Sequence, residues 1–171
     1  MNNKKIEMFT DGLDKFPIST VFVENLFMLL WIVTGTFICW ISVPLIGWIY
    51  LTFGLSMVLC IMRILVCKNC YYHGKLCHTG WGKLSAIYCK QGELNHFGCG
   101  VSGKIIPIFY GSMALLPLII GIISIINNFS VFRICILILF LFVVVMSSFT
   151  LRKKSCEICK MKLICPGSAA K

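Results

Sequence analysis

Two pairs of cysteines with the spacing C-x-x-C lie far apart in this chain. The first pair is Cys67 and Cys70, and the second is Cys156 and Cys159. Two intervening residues allow a tight turn that aims both sulfurs at one metal ion, as in structural zinc sites. A third cysteine follows each pair, and the six candidate metal ligands are Cys67, Cys70, Cys77, Cys156, Cys159 and Cys165.

Three kinds of chemistry fit these thiols. Four thiolates, one pair from each cluster, satisfy tetrahedral zinc, which needs nothing beyond them. An iron–sulfur cluster is the alternative cofactor, because the tail spacing C-x-x-C-x5-C-P is similar to part of a ferredoxin cysteine run. A thiol/disulfide couple that exchanges with a partner is the third. On the cytoplasmic side, reducing conditions disfavour stable disulfides and so favour metal. Among metals we favour zinc, because it needs nothing beyond the thiolates.

Histidine offers a way to close the first cluster by itself. His73 and His78 lie among the loop cysteines, so either could complete a Cys₃His site there. The tail has no histidine, which favours one site shared by both clusters over two separate ones. Three further cysteines, Cys39, Cys60 and Cys135, fall in apolar runs and are interpreted as small packing residues.

The composition indicates which elements position these cysteines. Of the 171 residues, 58% are hydrophobic and 13% are charged, whereas soluble domains carry about 25% charged residues. So small a protein cannot bury that much apolar surface in its own core, and a bilayer accounts for the excess. The sequence therefore predicts an all-α membrane protein.

Apolar runs predict four transmembrane helices arranged as two hairpins. The helices are expected near 19–41, 44–66, 105–126 and 131–149, and Pro44 is expected to open the second. The chain is then an N-terminal segment (1–17), a first hairpin (18–66), a Cys-, Gly- and Lys-rich loop (67–104), a second hairpin (105–149) and a Cys-rich basic tail (150–171). The loop and the tail are predicted to form one small cysteine-rich module.

Charge orients this topology. Of the 16 Lys and Arg residues, all except Arg133 lie in or beside the N-terminal segment, the loop and the tail. The positive-inside rule therefore predicts a multi-pass protein of the cell membrane with both termini, and the cysteine module, in the cytoplasm. The net charge of +10 flanks apolar runs, so we expect contact with anionic lipid headgroups and not with nucleic acid.

Function is less constrained than topology. No Ser/His/Asp set or pair of carboxylates suggests hydrolysis, and Glu24 is the only acid within the predicted helices, which argues against an ion path. We therefore favour a non-catalytic subunit or adaptor whose metal-bound module docks a partner protein. The alternative is a membrane oxidoreductase component that carries electrons through an iron–sulfur cluster or through thiols.

Overall fold

The computed structural model describes residues 8–97, 101–165 and 167–170, with the backbone alone described for 101–104. Within these ranges the regular structure is helical, and no strand is present beyond a single parallel bridge between Leu13 and Cys159. Four long helices dominate: α1 (Ile18–Ser42), α2 (Pro44–Asn69), α4 (Val101–Asn127) and α5 (Val131–Glu157). A short helix, α3 (Trp81–Tyr88), lies in the loop.

All four long helices have the length and composition needed to cross a membrane. The 25 residues of α1 rise about 37 Å at 1.5 Å per residue, which exceeds the hydrocarbon core of a bilayer. Large apolar side chains are exposed along each helix, among them Leu45, Ile126 and Phe142. The prediction of an all-α, multi-pass membrane protein with four such helices is confirmed.

The turn between α1 and α2 is as short as the sequence predicts. Val43 alone separates the helices, and Pro44 occupies the first helical position of α2. Its missing N–H costs nothing there, because the first amides of a helix have no partner within the helix. Trp40 and Trp48 meet edge to face across this turn, with ring centroids 5.2 Å apart.

Helix α1 is central, because it contacts α2, α4 and α5. The core includes Trp31 and Tyr50, and the Tyr50 hydroxyl donates a hydrogen bond to the Met113 carbonyl of α4 at 2.9 Å. Gly35 makes this close packing possible, since a Cβ there would lie 2.5 Å from the Tyr50 hydroxyl oxygen. Small residues commonly allow membrane helices to approach in this way.

Three helices extend beyond their predicted bounds at the end of the bundle that carries the cysteines, here called the cysteine end. Helix α2 continues to Asn69, past the predicted 66, α4 begins at Val101, before the predicted 105, and α5 continues to Glu157, past the predicted 149. Both helices that lead into a C-x-x-C pair contain a π-helical turn, Met57–Ile61 in α2 and Met146–Leu151 in α5. Such turns are rare and occur frequently near functional sites.

The described part of the N-terminal segment, residues 8–17, lies across the cysteine end and is here called the strap. Its backbone amides donate from Phe9 to Lys160 at 3.1 Å and from Phe16 to Leu76 at 3.0 Å. The strap therefore touches both the tail and the loop. Its anchor is Phe16, which is buried in a second apolar cluster with Tyr72, Phe97 and Met161.

Candidate metal centre

The loop cluster is built on a tight turn at the end of α2. After the last regular turns, Cys67–Asn69 forms a 3₁₀ turn, and the Cys70 amide donates to the Cys67 carbonyl at 3.2 Å. The chain then returns towards α3, where the Gly82 amide donates to the Cys77 sulfur at 3.4 Å. Gly80 supplies the left-handed conformation just before α3, with φ of 73°.

The tail cluster repeats the geometry of the first turn. Cys156 lies in the last turn of α5, and the Cys159 amide donates to the Cys156 carbonyl at 3.2 Å. The chain then turns again, and the Cys165 amide donates to the Met161 carbonyl at 2.8 Å. Each C-x-x-C pair is therefore held in a compact turn directly attached to a membrane helix.

The two clusters border the same cavity, of about 120 Å³, which we call the cysteine chamber. All six cysteines predicted as ligands line it, together with one of the two candidate histidines: Cys67, Cys70, Cys77, Cys156, Cys159, Cys165 and His78. Cys70 and Cys156 are 86 positions apart in the sequence, and the rest of the loop with α4 and α5 returns the chain to the cysteine end.

Other candidates lie elsewhere. The His73 ring is hydrogen-bonded through Nε2 to the Cys89 carbonyl at 3.0 Å, and neither residue lines the chamber. Cys99 lies outside the described residues. Of the two histidines that the sequence proposes, His78 is the one that the fold brings to the cysteines.

Neighbouring residues of α1 hold the two sides of the chamber in place. The Glu24 carboxylate is buried and accepts a hydrogen bond from the Ser155 hydroxyl at 2.8 Å, one residue before Cys156. Asn25 donates through Nδ2 to the Thr79 carbonyl at 2.9 Å, one residue after His78. Sequence reasoning considers Glu24 only as part of an ion path and misses this role, because only the folded chain brings these partners together.

Burial and positive charge shape the chemistry of the chamber. Burial raises the pKa of the Cys70 thiol well above its ordinary value and that of Cys159 to about 11. Burial, followed by the charge of Arg152, lowers the pKa of His78 to about 4, so its imidazole is neutral at pH 7. Arg152 and Lys162 line the chamber, and among the described residues no acidic side chain does. The surroundings therefore favour ligands that become anionic when they bind.

The donor set fits a thiophilic metal ion, although its present arrangement does not enclose one. Six sulfurs and a neutral imidazole are ligands of the kind that zinc and iron–sulfur clusters take, and the nearby cations offset the charge of several thiolates. In the part of the chain that the structure describes, no group of three or more His, Cys, Asp or Glu side chains is placed to hold an ion. Ligation would require side-chain rotations within the chamber.

Comparisons with protein-family models, with curated proteins and with solved structures find no match for this chain.

Proposed function

We propose that this multi-pass membrane protein carries a thiolate-bound zinc ion in the cysteine chamber and acts as a non-catalytic subunit or adaptor. One observation carries the proposal: both C-x-x-C pairs line the same cavity. Cys67, Cys70, Cys156 and Cys159 would hold the ion, and His78 is the available nitrogen ligand. A metal shared in this way would join the loop to the tail and so make the cysteine end rigid.

Thiol acidity argues for metal binding over thiol exchange. An exchanging dithiol needs an accessible thiolate, usually one whose pKa has been lowered. Burial instead raises the pKa of both Cys70 and Cys159. A metal ion overcomes this cost by displacing the thiol proton and bonding to the sulfur directly.

The adaptor role is supported by what surrounds the chamber. The tail exposes Ile158 and Leu163 beside the exposed lysines Lys153 and Lys154. A partner protein with an acidic and partly apolar face would complement this surface. The same side would lie in the cytoplasm under the positive-inside rule, near anionic headgroups.

An iron–sulfur cluster in an oxidoreductase component is the second candidate. The chamber is lined by six cysteines, two more than a zinc ion needs. A cluster would supply one-electron transfer, and the chain's own contribution would be to hold it in a buried, cationic setting at the membrane surface.

Metal analysis of the purified full-length protein tests the proposal. We expect about one zinc per chain, retained through dialysis against a weak chelator. The double variant Cys70→Ser/Cys159→Ser, which removes one ligand from each pair, should lose it. The matched control is Cys60→Ser/Cys135→Ser, which replaces two exposed helical cysteines outside the chamber and should keep it.

Other results would separate the alternatives. Iron with acid-labile sulfide and visible absorbance would favour the second candidate, because zinc thiolates do not absorb in the visible. A protein that contains no metal after anaerobic purification and does not take up added zinc would refute both proposals. Equal metal loss in the chamber variant and in the control would show that binding is not at the chamber.

A further inference from the structure

A separate feature lies at the opposite end of the bundle, where the two short turns connect α1 to α2 and α4 to α5. Arg133 lies in the first turn of α5 and is the only Lys or Arg near these turns. The six acidic residues of the sequence all lie in the N-terminal segment, near the start of α1, in the loop or at the end of α5. Among the residues that the structure describes, none provides a carboxylate for Arg133 at its own end.

Part of the Arg133 side chain already has a structural role. Its Nη1 donates to the Ser124 carbonyl at 2.8 Å and to the Asn128 carbonyl at 3.0 Å. The Ser124 carbonyl also accepts from the Asn128 amide at 3.1 Å, so these bonds link the first turn of α5 to the end of α4. The role needs a hydrogen-bond donor but not a full positive charge. Among the described residues, Nε and Nη2 of Arg133 have no hydrogen-bond partner.

Arg133 lines a cavity of about 330 Å³ between the two turns. Ser42, Ser124 and Asn127 supply the other polar groups of its lining, and the remaining lining residues are aliphatic, four isoleucines and a valine. A volume of this order is within the range of small-ligand sites. The cavity thus combines a cation and neutral polar groups with an aliphatic wall, at the boundary of a membrane.

We propose that this cavity binds an anionic phospholipid, with the phosphate on Arg133 and an acyl chain against the isoleucines. Guanidinium groups match phosphate with paired, charge-assisted hydrogen bonds. An anionic head is favoured over a choline head, because the lining includes neither an acidic nor an aromatic side chain to receive a quaternary ammonium. This inference is independent of the proposed metal site.

Native mass spectrometry of the full-length protein in detergent, with equal amounts of phosphatidylglycerol and phosphatidylcholine of the same chain length, tests the site. The wild type should retain one phosphatidylglycerol with a preference of about tenfold, because both lipids offer the same phosphate but the choline ammonium is repelled by the Arg133 guanidinium. Arg133→Gln keeps an N–H donor for the α4 carbonyls but removes the charge, so the preference should fall to about one. Lys83→Gln removes the same charge from an exposed residue of α3 and should leave the preference intact.

A second variant covers the case in which Arg133→Gln does not fold. Ser42→Leu leaves Arg133 in place and fills the cavity, so it should also lose the retained lipid. Unchanged retention in both variants, equal loss in Lys83→Gln, or equal binding of the two lipids would overturn the proposal. Displacement of the lipid by inorganic phosphate at equal concentration would also overturn it and show a site for a soluble anion instead.

Discussion

At the scale of single residues, the chamber combines thiols that resist ionisation with cations that would stabilise their ionised forms. Cys70 and Cys159 have raised pKa values because they are buried. Arg152 lines the same chamber, and its Nη2 donates to the Gly167 carbonyl at 2.8 Å. Without a metal ion these thiols are neutral at pH 7, and with one they become thiolates in a setting that compensates their charge.

This leads to a prediction about pH. A metal ion held by the four proposed cysteine ligands displaces up to four protons, and Cys70 and Cys159 alone account for two, because both remain protonated below their raised pKa values. The metal affinity should therefore rise at least about a hundredfold for each pH unit between pH 6 and 8. His78 adds no further slope, since its pKa of about 4 leaves it neutral throughout this range. Competition titrations against a chromophoric chelator at several pH values measure the slope.

A control accompanies this measurement. If Cys159→Ser still binds metal, it should release about one proton fewer on binding than the wild type, so its affinity should change less steeply with pH. An affinity that does not change with pH would contradict the assignment of protonated thiols as ligands.

At the scale of elements, the strap has two kinds of attachment, the buried side chain of Phe16 and the ion pair of Asp14, and the buried side chain should contribute more. Phe16 is 2% exposed and packs against Tyr72 and His78, with ring centroids 5.6 and 6.0 Å away. Asp14 and Lys160 form a salt bridge of 2.6 Å, which lowers the pKa of Asp14 and raises that of Lys160. This pair is open to solvent, where ion pairs contribute little. Burial of Phe16 should therefore dominate the attachment of the strap.

We accordingly expect Phe16→Ala to release the strap and Asp14→Asn to leave it in place. Truncating a buried phenylalanine typically costs about 3–5 kcal/mol, more than enough to detach a segment of ten residues from its docking surface. Hydrogen exchange of the strap measures the difference. The Leu13 amide, which donates to the Ile158 carbonyl at 2.9 Å, should lose protection in Phe16→Ala alone. Equal deprotection in both variants would show that the ion pair matters as much as the apolar anchor.

How much the sequence predicts depends on how far apart in the chain the interacting residues are. Hydropathy and Pro44 predict the four helices because these signals are local. The cysteine spacing identifies the six cysteines that line the chamber, because each cluster is a local feature of the sequence. The strap and the hydrogen bond from Ser155 to Glu24 involve residues far apart in the chain, so no local pattern predicts them. The continuation of α5 to Glu157 was missed because its last turns are polar and leave the hydrophobic pattern.

At the scale of the whole molecule, the arrangement of charge predicts how the bundle sits in its membrane. The strap, the loop and the tail meet at the cysteine end through the Leu13–Cys159 bridge and the Phe16–Leu76 hydrogen bond. Apart from Arg133, every Lys and Arg lies in the N-terminal segment, the loop or the tail, or close to them in the sequence. The positive-inside rule therefore predicts that the cysteine end faces the cytoplasm.

Topology reporters in a bacterial host test this orientation. A fluorescent protein that matures only in the cytoplasm should be bright when fused after Lys171. An epitope inserted at Phe129, which is exposed in the turn between α4 and α5, should be reached by antibody in intact spheroplasts. An N-terminal epitope should be reached only after the membrane is permeabilised.

Reporters at the two termini that fall on opposite sides would require an odd number of spanning helices and would refute the four-helix topology. Both termini outside would preserve the helix count but place the cysteine chamber in an oxidising compartment, where disulfides would compete with metal for the same thiols.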